Sequence, residues 1–577
     1  MRFLERVCAS IIGYMYLRES RQKRADGSVL THLQLAENLW DPQRKRAQVK
    51  IIYNCGRADD EETTERLRRL ARSILRRCAP EEIVADNPAW QLVQAFSYGD
   101  LYVLEQLWRR VGVGEVIGEV LAERKFDFDV ERALFAMVAN RALAPSSKLY
   151  CYEQWLGEDI RIEGTQALRL QHLYRAMDFL EANKEAIEKA IYSRMADLLN
   201  LDVEIVFYDT TSLHFEIDEP DHGFGPNDEV HGSALAGKKT YRALRKRGHS
   251  KNGRFDAPQI VIGLAVTRDG FPVRHWIFPG NTVDVTTVAK VKEDLNGWHL
   301  SRCVFVGDAG MVSAENLSTL ARAGGKYIVC MPIHRGSEVA NEVLTRPGRY
   351  QTVAENLEVK EVTVGAGERR RRYVVCYNPQ EAERQGRHRQ EVLDEFAAEI
   401  ESLRESTGKS HSKRVCELRA SGRYGSYVRL TPNGHPRIDQ ANIEALSKLD
   451  GKFVVHSNDD TLSAADLALG YKQLQRVEVA WRQLKSGLKL RPVYHWAPHR
   501  IHAHVALTVL SLLLERVAEQ GCADTWRNIR DDLKQIKLAQ LSSPNGMVWQ
   551  VTEPSPQALK RLKSLKIPKP PPVLKLA

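Results

Sequence analysis

The clearest hydrophobic pattern in the chain lies between Tyr471 and Trp496. Its apolar residues recur at steps of three and four, which predicts an amphipathic helix: Leu474, Val477, Trp481, Leu484 and Leu488. Tyr471, Glu478 and Lys485 follow at intervals of seven, nearly two helical turns, so they lie on one line at the edge of that face. Glu478 can therefore reach into a cleft while its helix stays packed. It can equally form an ordinary surface pair with Arg482.

Partly alternating polar and apolar residues predict strands near the N-terminus. Residues 14–56 contain two turn signals, Asp26-Gly27 and Asp41-Pro42, between such segments. Basic residues are frequent here, so the sheet is either a solvated surface or a contact for DNA phosphates. We therefore predict a small basic β region at 1–60.

Helical periodicity then dominates as far as residue 200. A charged segment at 60–85 and several amphipathic segments between 98 and 200 predict a helical domain at 61–200. The segment from Ala144 to Lys148 predicts a helix start whose free N–H groups can hold a phosphate. Such a domain suits DNA binding, which is our prediction, but it suits a scaffold role equally well.

From residue 201 the pattern becomes that of an α/β core. A short apolar strand ends at Asp209, a hairpin follows from Gln259, and a second apolar strand ends at Asp308. In sheets of this kind functional groups gather at strand ends. An aspartate after a strand is also a common turn or cap residue, so either one alone is a weak signal.

The region between this core and the Glu478 helix predicts an inserted domain. Residues 335–460 contain a hairpin with four consecutive arginines, a charged helix near 380–405 and further strands, so we predict a β-rich insertion. Arg370 and Arg371 at the hairpin tip either clamp a DNA backbone or lie on a solvated edge. The remaining predicted domains are core at 201–334 and 461–518, then a C-terminal helix and loose tail at 519–577.

Composition narrows the class of protein. The 577 residues carry a formal net charge of +10, and the pI near 9.0 suggests a polyanionic partner. Nine scattered cysteines without a CxxC pair indicate reduced thiols and exclude the usual zinc-finger spacing. No apolar run approaches the roughly 18 residues of a membrane span, and the N-terminus lacks a signal-peptide cleavage pattern. We expect a cytoplasmic protein.

Two further segments resemble known motifs but lack residues that those motifs require. Residues 232–239 nearly match a phosphate-binding loop, but Lys239 stands where Ser or Thr would bind Mg²⁺ and no apolar strand precedes the segment. Four histidines lie between 495 and 504 without the spacing of a zinc site, so we expect structural or DNA-contacting roles for them.

Asp209, Asp308 and Glu478 together predict a metal site. Three converging carboxylates repel one another unless a cation compensates, and such hard oxygen ligands favour Mg²⁺ or Mn²⁺. Two ions can activate a water or a 3′-hydroxyl and stabilise the leaving oxygen of a phosphodiester. That chemistry agrees with the basic net charge.

These segments together resemble a known family. Asp209 in YDTTS, Asp308 in VGDAGM and Glu478 are similar to the catalytic Asp-Asp-Glu of DDE transposases of bacterial insertion sequences. Tyr471, Glu478 and Lys485 match the Y-x2-R-x3-E-x6-K signature of one group within that family, as does the following RPVYHW. The signature arginine is replaced by Leu474, and Arg476, Arg482 or Lys472 can compensate. The resemblance covers about 200–332 and 463–515.

The resemblance implies a ribonuclease-H-like catalytic core interrupted by the insertion. It implies that the protein binds double-stranded DNA at the terminal inverted repeats of its element. Metal-dependent strand cleavage and strand transfer to target DNA follow, in some members through a DNA hairpin. It also implies a homodimer or higher assembly on DNA in the bacterial nucleoid. The alternatives are a stand-alone nuclease, an inactive DNA-binding regulator and a hydrolase of small phosphate esters.

The resemblance also implies roles for particular side chains. Tyr471 and Lys485 are expected to contact phosphates, and Arg482 lies beside them. Arg482, Lys251 and Arg254 are also expected to bind DNA. Lys251 and Arg254 belong to a segment, 248–259, that is similar to segments of the family, so we expect it near the site. Asp256 in that segment is a second candidate for the place given to Asp209.

Overall fold

The structure, a computed structural model, describes most of the chain. The described residues are 15–24, 27–77, 91–122, 124–198, 205–221, 230–231, 240–241, 243–251, 253–298, 300, 303–333, 337–367, 370–403, 408–543 and 546–574. The chain divides into two compact units, residues 1–94 with 540–548 and residues 95–539 with 549–577.

The first unit contains the strands that the N-terminal alternation predicts. β1, β2 and β3 form an antiparallel sheet, and β2 and β3 pair with two register shifts. Asp60 caps the following helix, α1, by accepting from the backbone N–H of Thr63. Residues 78–85 of the predicted charged helix lie outside the described residues. The bounds are β1 Met15–Lys23, β2 Val29–Asp41, β3 Arg46–Arg57 and α1 Glu61–Leu75.

Helices make up the start of the second unit, as the periodicity at 98–200 predicts. Their apolar faces meet in one buried cluster. The bounds, with the strand that precedes them, are β4 Gln91–Ser97, α2 Gly99–Val111, α3 Val113–Leu121, α4 Val130–Leu143, α5 Lys148–Tyr150 with a π-helical continuation Cys151–Asp159, α6 Leu170–Ala182 and α7 Lys184–Leu198.

Within the described residues, the second unit is built on a nine-stranded mixed sheet. Its first half has these bounds: β5 Ile205–His214, β8 Gln259–Thr267, β9 Pro272–Pro279, α8 Val288–Asn296, β10 Val304–Gly307, α9 Ala314–Ala321 and β11 Lys326–Met331. A separate pair, β6 Val230–His231 and β7 Thr240–Tyr241, lies between β5 and β8. β8 is buried along its whole length, as expected of a strand covered on both faces.

Residues 335–460 do not form the separate β-rich domain that the sequence predicts, because their longer strands belong to the central sheet. Its four longer strands extend the central sheet: β12 Gln351–Ala354, β13 Leu357–Val364, β14 Arg371–Tyr377 and β17 Lys452–Ser457. The remainder is largely helical, with one small hairpin: α10 Pro379–Leu403, α11 Gly408–Ala420, β15 Val428–Leu430, β16 Pro436–Ile438 and α12 Gln440–Ser447. The longer strands join the sheet because β17 pairs with β11 and β14 pairs with β17, which satisfies their backbone hydrogen bonds. The strand order of the whole sheet is β12-β13-β14-β17-β11-β10-β5-β8-β9.

Three consecutive helical segments follow, and then one long helix. The bounds are α13 Ala464–Lys472, α14 Gln475–Arg482, a π-helix Gln483–Gly487 and α15 Pro498–Cys522. α15 is long and apolar enough to span a membrane by length and composition, and it is the single such helix in the described residues. It is nevertheless a core helix, because 89% of its most apolar window is buried. Its residues belong to both the helical cluster and the sheet cluster.

The C-terminal segment is held in place as far as Leu574, contrary to the expected loose tail. Pro568 accepts a hydrogen bond from the hydroxyl of Tyr102 at 3.1 Å, and Leu574 pairs with Trp549. Proline prevents a helix here, but it does not prevent packing of an extended chain. The bounds are α16 Trp526–Leu533, β18 Lys537–Ser543, β19 Gly546–Val551, α17 Pro556–Ser564 and β20 Val573–Leu574.

Candidate active site

Asp209 and Asp308 lie side by side on neighbouring strands. β5 and β10 run parallel, with Phe207 opposite Val306. Continuing this register by two residues brings Asp209 opposite Asp308, the residue that directly follows β10. The pairing of strands that are remote in sequence thus assembles the first two predicted catalytic residues.

Burial and neighbouring charges perturb the carboxyl group of Asp209. Its side chain is 21% exposed, and burial raises the pKa of its carboxyl to about 6. Asp308 and Asp284 raise the pKa further, while Lys251 and a backbone hydrogen bond oppose the rise. The charge of Asp209 is therefore incompletely compensated by the protein itself.

Lys251 connects Asp209 to a further carboxylate that sequence reasoning missed. The Lys251 ammonium lies 2.8 Å from Asp284 Oδ2 and 3.8 Å from Asp209 Oδ1. The hydroxyl of Thr210 donates to Asp284 Oδ1 at 2.5 Å, and Lys251 also donates to the backbone carbonyl of Thr210 at 2.8 Å. Lys251 is thus beside the aspartates, and its contact with DNA stays a prediction.

Asp284 is placed by the turn after β9, where it begins a short 3₁₀-helix. Its sequence signal was weak, because an aspartate before a helical segment is usually a cap. The available signal was its position: the segment that follows the β8–β9 hairpin returns the chain toward the end of β5.

The predicted signature helix lies over β5. Its start is fixed by a capping box in which Ser463 and Asp466 each bond the other's backbone N–H. All five predicted apolar positions are buried in the cluster that contains the β5 and β8 side chains, which confirms the periodicity: Leu474, Val477, Trp481, Leu484 and Leu488. The helix is not uniform, since a tight turn at Leu474 separates α13 from α14 and the end is π-helical.

Two members of the predicted line on this helix face the aspartates. The hydroxyl of Tyr471 donates to Asp308 Oδ1 at 3.1 Å, and burial together with nearby Cys330 and Asp308 raises the pKa of this phenol. Burial lowers the pKa of Lys485, nearby Arg491 and Lys251 lower it further, and Asp209 opposes the effect. The Lys485 ammonium therefore interacts electrostatically with the Asp209 carboxylate.

Glu478 lies on α14 between these two residues, but its side chain is exposed. Within the described residues it makes no hydrogen bond or ion pair, and no group of three His, Cys, Asp or Glu side chains is close enough to hold a metal ion. The structure thus brings Asp209 and Asp308 together, and the predicted three-carboxylate group is not assembled. The role of Glu478 stays a prediction.

The other predicted DNA-binding residues are distributed over the surface. Arg482 is exposed on α14. Arg254 pairs with Asp256 at 3.0 Å and with Glu216 at 3.2 Å, so Asp256 faces Arg254 rather than the place of Asp209.

The two arginines of the β13–β14 hairpin also face acidic groups. Arg370 lies 3.8 Å from Asp460, and Arg371 lies 2.7 Å from Glu338. Exposed pairs of this kind are weak, so both guanidinium groups remain available to phosphates. Their role in DNA binding stays a prediction.

The two adjacent aspartates fit a divalent cation. Carboxylate oxygens are the ligands that Mg²⁺ and Mn²⁺ prefer, and the raised pKa of Asp209 marks a buried charge that such a cation would compensate. Lys251 supplies one positive charge here. Asp209, Asp308 and Asp284 together carry three negative charges when ionised, so a net negative charge remains for a cation to neutralise.

Two models of known protein families match this chain. Residues 227–514 match the family model described as "Transposase DDE domain", and residues 17–85 match that of the "IS1634 family transposase, N-terminal domain". The chain belongs to the DDE transposases of insertion sequences. The first match includes Asp308 and Glu478, whereas Asp209 precedes it. DDE transposase domains generally use divalent metal ions.

Two further comparisons add little about this transposase. No curated protein matches the chain. One solved structure similar to it is the cryo-EM structure of the piggyBac transposase synaptic complex with hairpin DNA. It has 9% sequence identity and a TM-score of 0.33, and the match covers 76% of this chain and 79% of that chain.

Proposed function

We propose that this transposase binds the terminal inverted repeats of its own insertion sequence, cleaves them and joins them to target DNA. The observation that carries the proposal is the position of Asp209 beside Asp308, under a helix whose Tyr471 and Lys485 face them. A ribonuclease-H-like core is the corresponding fold, supported by the antiparallel β5–β8–β9 strands next to parallel β10 and β11.

Asp209 and Asp308 would hold the divalent ion, with Glu478 as a further ligand. When bound, the metal supplies a Lewis acid for the phosphodiester and an acidified water or 3′-hydroxyl. Tyr471 orients Asp308 through its hydroxyl, and Lys251 holds Asp284 and Asp209 in place. The half-buried Lys485 ammonium provides a positive charge for a phosphate beside Asp209.

DNA binding accounts for the basic character of the protein. Its net charge of +10 favours a polyanionic partner. The exposed Arg482, Arg370 and Arg371 are the predicted contacts away from the site. Two DNA ends must meet during strand transfer, so a homodimer or larger assembly in the nucleoid is the expected working state. The element's excision can include a hairpin intermediate.

The test is metal-dependent cleavage of a duplex that carries the end of the element, with gel-shift binding measured alongside. Asp209→Asn, Asp308→Asn and Glu478→Gln are each expected to reduce cleavage by at least about a hundredfold while binding persists. Asp256→Asn is the matched control, because Asp256 is an exposed acid paired with Arg254.

The results also separate the competing functions. Cleavage without joining of the products to a target duplex indicates a stand-alone nuclease. Binding without any metal-dependent cleavage indicates a regulator. Normal cleavage by Glu478→Gln removes that residue from the site and leaves the two aspartates as the protein's ligands.

A further inference from the structure

A cavity in the helical part of the protein is lined by two cationic side chains that have no carboxylate partner among the described residues. It has a volume of about 590 Å³ and lies between the end of α4, the start of α5, α6 and the segment before α15. The side chains that matter for its chemistry are Arg141, Lys148, Tyr174, Tyr494, His495 and His504.

Lys148 and Arg141 are both deeply buried there, at 3% and 4% exposure. Within the described residues, the Lys148 ammonium has no hydrogen-bond partner, and neither does Nε of Arg141. The other Arg141 nitrogens donate to the carbonyls of Ser146 at 2.9 Å and Lys489 at 3.1 Å. Carbonyls satisfy hydrogen bonds but do not neutralise the charge. Arg141, and Lys148 when it is protonated, therefore lack a counter-ion among the described residues.

The nearby carboxylates are already engaged. Asp178 lies 3.1 Å from His499 Nε2 and 3.3 Å from Arg500 Nε, and Glu181 lies 3.6 Å from His502. Burial lowers the pKa of His495 to about 3, and Lys148 and Arg500 lower it further. Burial likewise lowers the pKa of Lys148 to about 7, with Arg141 adding to the effect. An anion in the cavity would relieve each of these penalties.

Hydrogen bonds link the cavity to the segment that directly follows the signature helix of the candidate active site. Arg141 bonds the carbonyl of Lys489, directly after the helix that carries Lys485, and His504 donates to the carbonyl of Leu490 at 3.0 Å. Tyr494 and His495 separate it from another cavity, which Arg245 and Arg491 line. Arg491 in turn is close enough to Lys485 to affect its pKa. Cationic side chains thus extend from Lys485 through Arg491 to Lys148 in the cavity.

We propose that this cavity binds a backbone phosphate of the DNA strand that continues from the reacting phosphodiester, an inference that rests on the proposed function. Lys148 and Arg141 supply the charge for the phosphate oxyanion. The cavity is wider than one phosphate, and its walls carry the rings of Tyr174 and the 66% exposed Tyr494. Aromatic walls beside buried cations suit a nucleotide unit, since the rings can stack on sugar or base.

The experiment measures binding of the full-length protein to a fluorescein-labelled duplex of mixed sequence between about 50 and 200 mM salt. Lys148→Met keeps the volume of the side chain and removes the charge. We expect about tenfold weaker binding at the lowest salt and a log–log salt slope that is smaller by about one, the value for one lost phosphate contact. Lys148→Arg retains the charge and is expected to restore most of both.

The matched control is Lys292→Met, which removes another buried lysine, 4% exposed on α8. Tyr494→Glu is the second variant, because it places a negative charge at the exposed rim without disturbing the core. Circular dichroism establishes that each variant is folded. If Lys148→Met does not fold, Tyr494→Glu alone decides the result.

Unchanged affinity and slope in the folded variants overturn the proposal. A second arm compares the melting temperature in sodium phosphate and in sodium chloride of equal ionic strength. Stabilisation by phosphate that Lys148→Met abolishes, with an unchanged DNA slope, identifies a site for free phosphate and also overturns it. No arm of this experiment measures cleavage. Loss of cleavage therefore bears on the proposed function, whereas an unchanged DNA affinity of the variants bears on this cavity, so the two failures are distinguishable.

Discussion

At the residue scale, burial destabilises the ionised carboxylate of Asp209, and the neighbouring Lys251 compensates only part of that effect. An acid whose folded-state pKa lies above its unfolded value of 3.8 binds more protons when folded between pH 4 and about 6. Ionisation of Asp209 therefore destabilises the folded protein. The free energy of unfolding falls as the pH rises from about 4 through about 6. Two pKa units correspond to at most about 3 kcal/mol.

Asp209→Asn should consequently stabilise the metal-free protein at pH 8 and have little effect at pH 4. The expected gain at pH 8 is about 1–3 kcal/mol in the free energy of unfolding, measured by urea denaturation at both pH values. Added Mg²⁺ should stabilise the wild-type protein more than the variant. An equal loss of stability at both pH values would contradict the electrostatic origin, and Asp256→Asn provides the exposed control.

Asp284 should act as a positioning residue for Lys251. Asp284→Asn removes one partner of a 2.8 Å ion pair and keeps the shape of the side chain. We expect cleavage of the element's end to fall about 10- to 100-fold, with a higher Mg²⁺ concentration needed for half-maximal rate and unchanged DNA binding. Equal loss of cleavage and thermal stability without a shift in Mg²⁺ dependence would indicate a purely structural role.

At the element scale, the helix from Ala464 to Gly487 is fixed by its apolar face. Leu484 is 1% exposed among the side chains of β5 and β8, and Lys485 next to it lies close to Asp209. Leu484→Ala should cost about 2–5 kcal/mol of unfolding free energy and reduce cleavage, because the cavity lets the helix shift relative to β5.

The exposed Ser486 on the same π-helical segment offers a control in chemical denaturation. Ser486→Ala should stay within about 0.5 kcal/mol of the wild-type protein. A comparable loss in both variants would mean that the segment, rather than its packing, determines stability.

At the scale of the whole molecule, the helical part and the sheet share the core helix α15. Its Leu507 and Leu514 lie in the helical cluster, whereas its Ile501 and Leu512 lie in the sheet cluster. A helix that is apolar on all sides needs both partners to be covered. The predicted boundary at residue 200 therefore does not separate two independent cores.

A chain that starts at residue 201 should therefore fail to fold. Without α2 to α7, the face of α15 that packs against α4 and α6 is exposed, and we expect aggregation in size-exclusion chromatography. A chain that starts at residue 95 keeps that core and should give a helical circular-dichroism spectrum. A monodisperse, folded 201–577 fragment would contradict the shared core.

Local pattern in the sequence determined much of this protein. The steps of three and four around Val477 predicted a helix with the correct buried face, and the apolar runs before Asp209 and Asp308 predicted their strands. These features depend on neighbouring residues, so the periodicity of one segment is sufficient. The signature spacing likewise predicted the family.

The tertiary structure alone decided which groups meet. Asp284 joins Lys251, the strands of 335–460 enter the central sheet, and Arg141 and Lys148 share a cavity with His504. Each depends on the pairing of segments far apart in the chain, and side-chain pattern does not record strand order or distant contacts. Glu478 shows the same limit, since its spacing predicts a line with Tyr471 and Lys485 while its distance from the aspartates depends on how the helix lies on β5.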